Sequence, residues 1–325
     1  MPLENIFTIS TDEEFNAMAL KTFQVQYHEN LVYQEFCRHL GKNVSNVKTI
    51  EDIPFLPIEF FKSKKVICGS FTPKITFTSS GTTGSEVSKH HVKNLELYEN
   101  SYLTAFRHFY GDIEDYCVLA LLPSYLEREG SSLIYMANDL IHKSKHPDSG
   151  FYLDNLDSLQ KTLVELDARN TKILLLGVSF ALLDMVEEFQ LKLKNTVVME
   201  TGGMKGRKKE LIREELHQLL KNGFGVEAIH SEYGMTELLS QAYSQGNGRF
   251  FAPKWMKVLI RETEDPLTLQ KAGKTGGVNI IDLANIHSCS FIATQDLGKV
   301  HTDGSFEILG RFDHSDIRGC NLMVL

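Results

Sequence analysis

The sequence predicts an α/β protein: a mostly parallel sheet with flanking helices, a helical N-terminal segment and a β-rich final third. Three observations carry this. Short apolar, β-branched runs alternate with helix-length amphipathic stretches from Ile75 to His230, as strand–helix crossovers require. Before them, residues 1–65 show helical periodicity behind a capping pattern. After Gln245, "GNGRF", "KAGKTGG" and "HTDGSFEILG" supply turns between short strands.

In chain order, Thr11 followed by Glu14 is a capping box, and Phe15, Met18 and Ala19 recur behind it at helical spacing. A second helix is expected from Asn30 towards Gly41, which suits a C-terminal stop. Pro54 and Pro57 in "IPFLPIEFFK" prevent a regular helix there. Strands are expected at 75–78, 117–122, 172–178, 196–200 and 226–230. Helices are expected at 157–169, with Leu159, Leu163 and Leu166 on one face, and at 207–222, closing at Gly223. The final third offers strands at 257–261, 278–282, 291–294 and 305–309, with Asp303-Gly304 as a hairpin turn. The chain thus divides at 1–65, 66–245 and 246–325.

The 325 residues allow one large domain or two modest ones, and 42% hydrophobic with 23% charged is an ordinary globular composition. A formal net charge of -8 argues against a general nucleic-acid binder, which needs clustered positive charge. The five cysteines, Cys37, Cys68, Cys117, Cys289 and Cys320, are odd in number and lack the close spacing of a metal knuckle or redox pair. The N-terminus has early acids and no apolar core, so no secretory signal is expected. The most apolar window, 173–186, is broken by Gly177, Ser179 and Asp184 and is too short to span a bilayer. Reduced thiols and these absences predict a cytoplasmic protein with no membrane span.

Three blocks carry the chemistry. "ITFTSSGTTGSEVSK" (75–89) places Ser79, Ser80, Thr82 and Thr83 among Gly81 and Gly84 directly after a predicted strand. Such a loop is either a plain surface turn or a cradle for phosphate oxygens, made of backbone N–H groups and hydroxyls. No Lys follows Gly84, so it is not a Walker loop. In "HSEYGMTELLSQ" (230–241), Tyr233 offers a flat face for a base, Gly234 removes bulk, Thr236 offers a hydroxyl and Glu237 a hard oxygen for Mg²⁺. The alternative is a strand-to-helix turn whose Glu sits at a helix N-terminus. In "TQDLGKVHTDGSFEILGRFDHSDIRG" (294–319), Asp296 can accept from both ribose hydroxyls and Arg311 can face an anion. Otherwise Asp296 is a turn residue, and Arg311 forms a surface pair with Asp313.

Taken in order, the three blocks resemble the phosphate loop, the Tyr-Gly-x-Thr-Glu motif and the ribose Asp plus Gly-Arg-x-Asp motif of adenylate-forming enzymes. With "IPFLPIEFFK", "METGGMKGRKKE", "PKWMKV" and "DIRGCNLMVL", the chain from about Ile53 onward is most similar to the acyl-protein synthetases of bacterial bioluminescence. That resemblance implies an ATP- and Mg²⁺-dependent enzyme that adenylates a carboxylic, typically fatty, acid and passes the acyl group to a protein thiol: Cys320, an acyl-accepting partner protein, or both in sequence. By the same resemblance, Ser79, Ser80, Gly81, Thr82, Thr83 and Gly84 hold phosphates. Gly202 and Gly203 let adenine approach the backbone, and Tyr233 stacks on it, with Gly234 removing bulk beside Tyr233. Thr236 binds the α-phosphate, Glu237 holds Mg²⁺, Asp296 holds the ribose with Arg311 close by, and Cys320 near the chain end carries the acyl group. It also makes 66–245 the nucleotide-binding core and 246–325 the subdomain that completes the site.

The chain departs from the pattern in two places. "SEVSK" (85–89) replaces the Pro-Lys that commonly follows the phosphate loop, so Lys89 is displaced or does another job. Many relatives also carry a mobile C-terminal domain with a catalytic lysine. Here the sequence stops at Leu325, so either an internal residue such as Lys205 or Arg207 substitutes, or a partner does, or adenylation is slow. Cys320 lies between Gly319, a pivot, and Asn321, with Arg318 near enough to favour thiolate; the other reading is an inert small residue. The four other cysteines are expected to be buried. His90 and His91 point apart on a strand and should not chelate one metal. His230, at a strand end beside the nucleotide motif, either lines the acyl pocket or is a packed histidine with one backbone hydrogen bond, and we prefer the second. Two rivals remain: a coenzyme A ligase of the phenylacetate type, and an adenine-nucleotide-binding module without catalysis.

Overall fold

In the middle of the chain, apolar runs of five or six residues have no polar face to give to water, and a parallel sheet covered on both sides is what they form. A computed structural model describes residues 5–79, 86–122, 130–153, 155–202 and 211–312. Its contacts gather into two units, one holding the described residues of Tyr102–Met235 and Gln241–Phe250, the other those of Met1–Ser101, Thr236–Ser240 and Phe251–Leu325.

In the first unit, the parallel strands Gly150–Phe151, Cys117–Leu121, Ile173–Val178, Thr196–Thr201 and His230–Tyr233 lie side by side in that order. Ala242–Ser244 joins antiparallel at the His230–Tyr233 edge. Cys117–Leu121 and Ile173–Val178 are buried throughout. Between strands run the helices Ser132–Ser144, Leu156–Ala168, Ser179–Glu188 and Arg213–Phe224, and Leu159, Leu163 and Leu166 are buried as their spacing predicts.

Two expectations shift. The helix expected at 207–222 runs Arg213–Phe224, with 207–210 outside the described residues. Gly223 does not end it, because Gly223 packs flat on Val186, where a Cβ would come within 2.3 Å. Gly225 is the stop, left-handed at φ +67° with its N–H on the Lys221 carbonyl. The strand expected at 226–230 is His230–Tyr233. Its ladder starts only where Met199 meets His230, and there Ser231 and Glu232 come opposite Glu200 and Thr201. Side-chain bonds between those four residues fix the register.

In the second unit, Met256–Arg261, Thr275–Asp282, Phe291–Val300 and Phe306–Arg311 form an antiparallel sheet in chain order. The strand expected at 291–294 extends to Val300, because half-buried alternation replaces the apolar run beyond Thr294. Asp303 and Gly304 (φ +81°) make the turn into Phe306–Arg311, with the Ser305 N–H on the Asp303 carboxylate. Leu56–Pro57 adds in parallel along Ile292 and Ala293, and Ile75–Thr78 pairs with Lys89–Val92 as a separate hairpin.

The N-terminal helices Asp12–Glu29 and Leu31–His39 belong to this unit. Thr11 and Glu14 form the expected capping box. At Gly41 the chain closes a Schellman motif, with Gly41 N–H on Arg38 O and Lys42 N–H on Cys37 O. Buried amides tie these helices to the β-rich third: Gln26 donates to the Asn285 carbonyl (2.9 Å) and Asn30 to that of Ser288 (3.0 Å). Tyr33 lies parallel to Phe291, with ring centroids 5.8 Å apart. No helix among the described residues is long and apolar enough to cross a membrane.

Candidate active site

The second unit holds the residues expected to meet phosphate and ribose. Ser79 closes the base of its loop: its N–H donates to Ser88 O (3.1 Å) and its hydroxyl accepts from Ser88 N–H (2.9 Å). Ser80, Gly81, Thr82, Thr83 and Gly84 lie outside the described residues, as do Gly203, Lys205, Arg207, Arg318 and Cys320.

Thr236–Ser240 is a turn segment with no helix after it, so the helix-terminus reading of Glu237 does not apply. Buried side chains hold it from behind. His90 is buried, and its Nδ1 lies 2.9 Å from the Thr236 carbonyl. That oxygen can only accept, so Nδ1 carries the proton, and burial lowers the ring pKa to about 4. Asn285 donates to the Glu237 carbonyl (2.8 Å). The fully buried Asp282 accepts from the N–H groups of Leu239 (2.9 Å), Ser240 (3.0 Å) and Ala284 (3.0 Å), and from the Ser240 hydroxyl (2.6 Å). Burial pushes its carboxyl above the ordinary range, and these four donors pull back against that.

The Glu237 side chain is 5% exposed. Burial raises its pKa, opposed by a hydrogen bond from Ser88, its own N–H and the charges of Arg311 and Lys62. Asp296 is buried opposite Arg311 across the two strands, 3.4 Å from its Nε, while the Arg311 side chain stays 74% exposed.

The first unit holds the residues expected to meet the base. They gather at the C-terminal ends of the parallel strands, where open α/β sheets bind ligands. Gly202 is left-handed (φ +68°), and its carbonyl accepts from the Ser179 hydroxyl (3.0 Å). The same hydroxyl donates to Glu200 (2.9 Å), whose other oxygen accepts from Ser231 (2.9 Å). Burial would raise the Glu200 carboxyl, but His217, Arg213 and Ser231 outweigh it and hold the group below its usual value.

Among the described residues, its neighbour Glu232 has only Thr201 as a bonding hydroxyl. Burial first, and then the Glu200 charge, push it up to about 7. Gly234 packs against it: a Cβ there would come 2.4 Å from Glu232 Oε1 and would displace that carboxylate. Tyr233 is buried with its ring edge-on to Phe250, centroids 5.9 Å apart. His230 is bonded by the Tyr110 hydroxyl (3.2 Å) in place of the expected backbone partner.

Cys37, Cys117 and Cys289 are buried as expected, while Cys68 is only partly so. Burial pushes Cys37 and Cys68 to about 12 and Cys117 to about 11, and raises Cys289 as well, so these four remain thiols at neutral pH. Sequence reasoning missed His90, Asn285, Asp282 and Glu200. A signal existed for Asp282 and Asn285, which are polar residues in or beside an apolar run.

The fold defines a class. The structure resembles 2-hydroxyisobutyryl-CoA ligase in complex with 2-HIB-AMP and CoA in the thioesterification state (TM-score 0.69, 12% identity, 94% of this chain and 70% of that one). It also resembles ATP-bound MatB from Rhodopseudomonas palustris (TM-score 0.55, 17% identity, 74% of this chain), of which it spans about half the length (49%). This is the fold of adenylate-forming ligases. Within that class the chain is similar to the long-chain-fatty-acid–luciferin-component ligases of Vibrio harveyi (22% identity over 326 residues, 92% of this chain and 84% of that protein) and Aliivibrio fischeri (23% over 331 residues, 93% and 85%). No protein-family model matches the chain.

Proposed function

We propose that the chain is an ATP-dependent acyl-adenylating ligase that activates a fatty acid and transfers the acyl group to a protein thiol. The observation that carries this is the buried Glu237 carboxylate, held with Ser88 and under the charges of Arg311 and Lys62, in the unit where Asp296 pairs with Arg311. The similarity to the luciferin-component ligases along nearly the whole chain supports the acid and the acceptor.

In this reading a fatty carboxylate oxygen attacks the α-phosphorus of ATP and pyrophosphate leaves. A thiolate then attacks the acyl carbon and AMP leaves. Asp296 accepts from the ribose hydroxyls, Gly202, Gly203 and Tyr233 receive the base, and Ser79 to Gly84 receive the phosphates. Thr236 donates to the α-phosphate, and Glu237 would hold Mg²⁺ with its carboxylate. A metal bound there would supply positive charge against the negative charge that grows on the α-phosphate as the acid attacks. Cys320 is assigned the thiolate on the resemblance to the acyl-protein synthetases, and burial keeps the thiols of Cys37, Cys68, Cys117 and Cys289 protonated.

ATP–pyrophosphate exchange across carboxylic acids from aromatic to long-chain tests the first step. Exchange with long-chain acids, lost in Glu237→Gln, is expected. ATP binding without exchange for any acid would leave a nucleotide-binding module. The CoA complex of the structural neighbour favours a second reading, transfer to coenzyme A. Hydroxylamine-sensitive labelling of the protein by radiolabelled acid supports Cys320 if Cys320→Ser abolishes it; product on coenzyme A with no labelled protein supports the second reading.

A further inference from the structure

Arg261 has no part in the motifs above, yet it is the most elaborately housed cation among the described residues. It sits at the end of the strand Met256–Arg261, and its Nη1 donates to the Val278 carbonyl (2.7 Å) and the Asn279 side chain (2.8 Å). Its Nη2 donates to the Thr294 carbonyl. The backbone is cut away to admit it: a Cβ on Gly277 would come 2.5 Å from the guanidinium carbon, and one on Gly276 would come 2.2 Å from the Arg261 carbonyl. The register between Thr275–Asp282 and Phe291–Val300 shifts at this point, between Gly277 and Asn279.

Two of the three groups the fork grips, the Val278 and Thr294 carbonyls, lead to Asp296. Thr294, whose carbonyl Arg261 holds, also donates its hydroxyl to Val278 O (2.9 Å) and accepts the Asp296 N–H (3.1 Å). One residue between them, Gln295, donates to Glu59 (2.6 Å), which belongs to "IPFLPIEFFK". Glu59 and Asp296 are the two carboxylates whose charges act on the half-buried guanidinium, against the burial that lowers its pKa. Arg311, also beside Asp296, is largely exposed and screened by water, so the half-buried, fully bonded fork is the fixed charge of the pair.

We propose that Arg261, braced by Glu59 through Gln295, is a positioning residue that fixes the backbone and charge of Asp296 for selecting the ribose hydroxyls of the nucleotide. This rests on the reading of Asp296 as the ribose acceptor. It gives "IPFLPIEFFK" a function: Leu56–Pro57 pairs in parallel with Ile292 and Ala293, and Glu59, two residues on, accepts from Gln295.

The experiment compares dissociation constants for ATP and 2′,3′-dideoxy-ATP in wild type, Asp296→Ala, Arg261→Met and Arg261→Lys, with circular dichroism confirming folding. Wild type should prefer ATP by about tenfold or more, and Asp296→Ala should erase the preference. Arg261→Met should reduce it to about twofold, through weaker ATP binding with dideoxy-ATP binding unchanged. Arg261→Lys, which keeps the charge but loses the fork, should fall between, and it decides the matter if Arg261→Met does not fold. A purely structural role weakens both nucleotides alike and leaves the ratio intact; that result overturns the proposal. Wild type without preference, or Asp296→Ala with full preference, removes Asp296 as the ribose acceptor and the proposal with it.

Discussion

The turn segment Thr236–Ser240 and the strand ends around Glu232 both rest on buried polar side chains, but the first is saturated with partners and the second is not. Asp282, behind the turn, has four donors for one carboxylate. Glu232, at the strand ends, has a single hydroxyl and a second acid as neighbour. Burial penalises both charges, and the number of donors decides which one stays fixed. His90 extends the contrast. It is buried with one good acceptor, and burial drives its proton off, while at Glu232 burial drives a proton on.

The largest effect is expected at Asp282. Asp282→Ala strands three backbone N–H groups and a hydroxyl in the interior, which costs about 3–5 kcal/mol. Urea unfolding should show the midpoint fall at unchanged slope. An unchanged midpoint would mean that the segment is held by something else.

Next come two titrations of opposite sign. Glu232 has a folded pKa of about 7 against an unfolded value near 4.5, so the folded state binds more protons between them. Its contribution is lost as pH rises through that window, by about 3 kcal/mol. His90, at about 4 folded against 6.5 unfolded, does the reverse: the unfolded state binds more protons, and stability is lost as pH falls from 6.5 to 4, again by about 3 kcal/mol. The two slopes oppose each other between about pH 4.5 and 6.5. Relative to wild type, Glu232→Gln should gain stability with rising pH and His90→Asn should lose it, both read from denaturation midpoints across that range. Parallel pH profiles for all three proteins would refute the contrast.

The smallest effect concerns crowding. Gly234→Ala should cost about 1–2 kcal/mol by pushing the Glu232 carboxylate off its seat. In a Glu232→Ala background most of that cost should vanish, leaving the milder contact with Gln241 at 3.3 Å, and a double-mutant cycle measures the coupling. Equal costs in both backgrounds would put the strain elsewhere.

The sequence was most legible where interactions are local. The Thr11–Glu14 box, the Gly41 stop, the leucines of Leu156–Ala168 and the Asp303-Gly304 turn each depend on residues within a few positions of one another. The apolar strands were legible because they need no partner to be named. What stayed hidden is held by partners far along the chain: His90 meets Thr236, Arg261 meets Thr294, and Gln26 meets Asn285. Gly223 misled for the same reason, since its flatness serves Val186 on another helix. Ser79 was read as a phosphate donor, and its bond to Ser88 is one that spacing alone does not reveal.

The chain has a single tryptophan, and its position makes it an optical gauge. Trp255 is 3% exposed, lies edge-on to Phe7, and donates its indole N–H to the hydroxyls of Ser101 (3.0 Å) and Ser240 (2.9 Å). Ser240 closes the segment that begins at Thr236 and Glu237, and Asp282 holds it from the other side. Any displacement of that segment alters the hydrogen bonding of the only indole, and emission colour and lifetime follow the polarity around that N–H. Fluorescence therefore reads this one stretch of backbone without a label. Whether a nucleotide, an acid or a thiol acceptor shifts the segment is open to a stopped-flow trace on the unmodified protein.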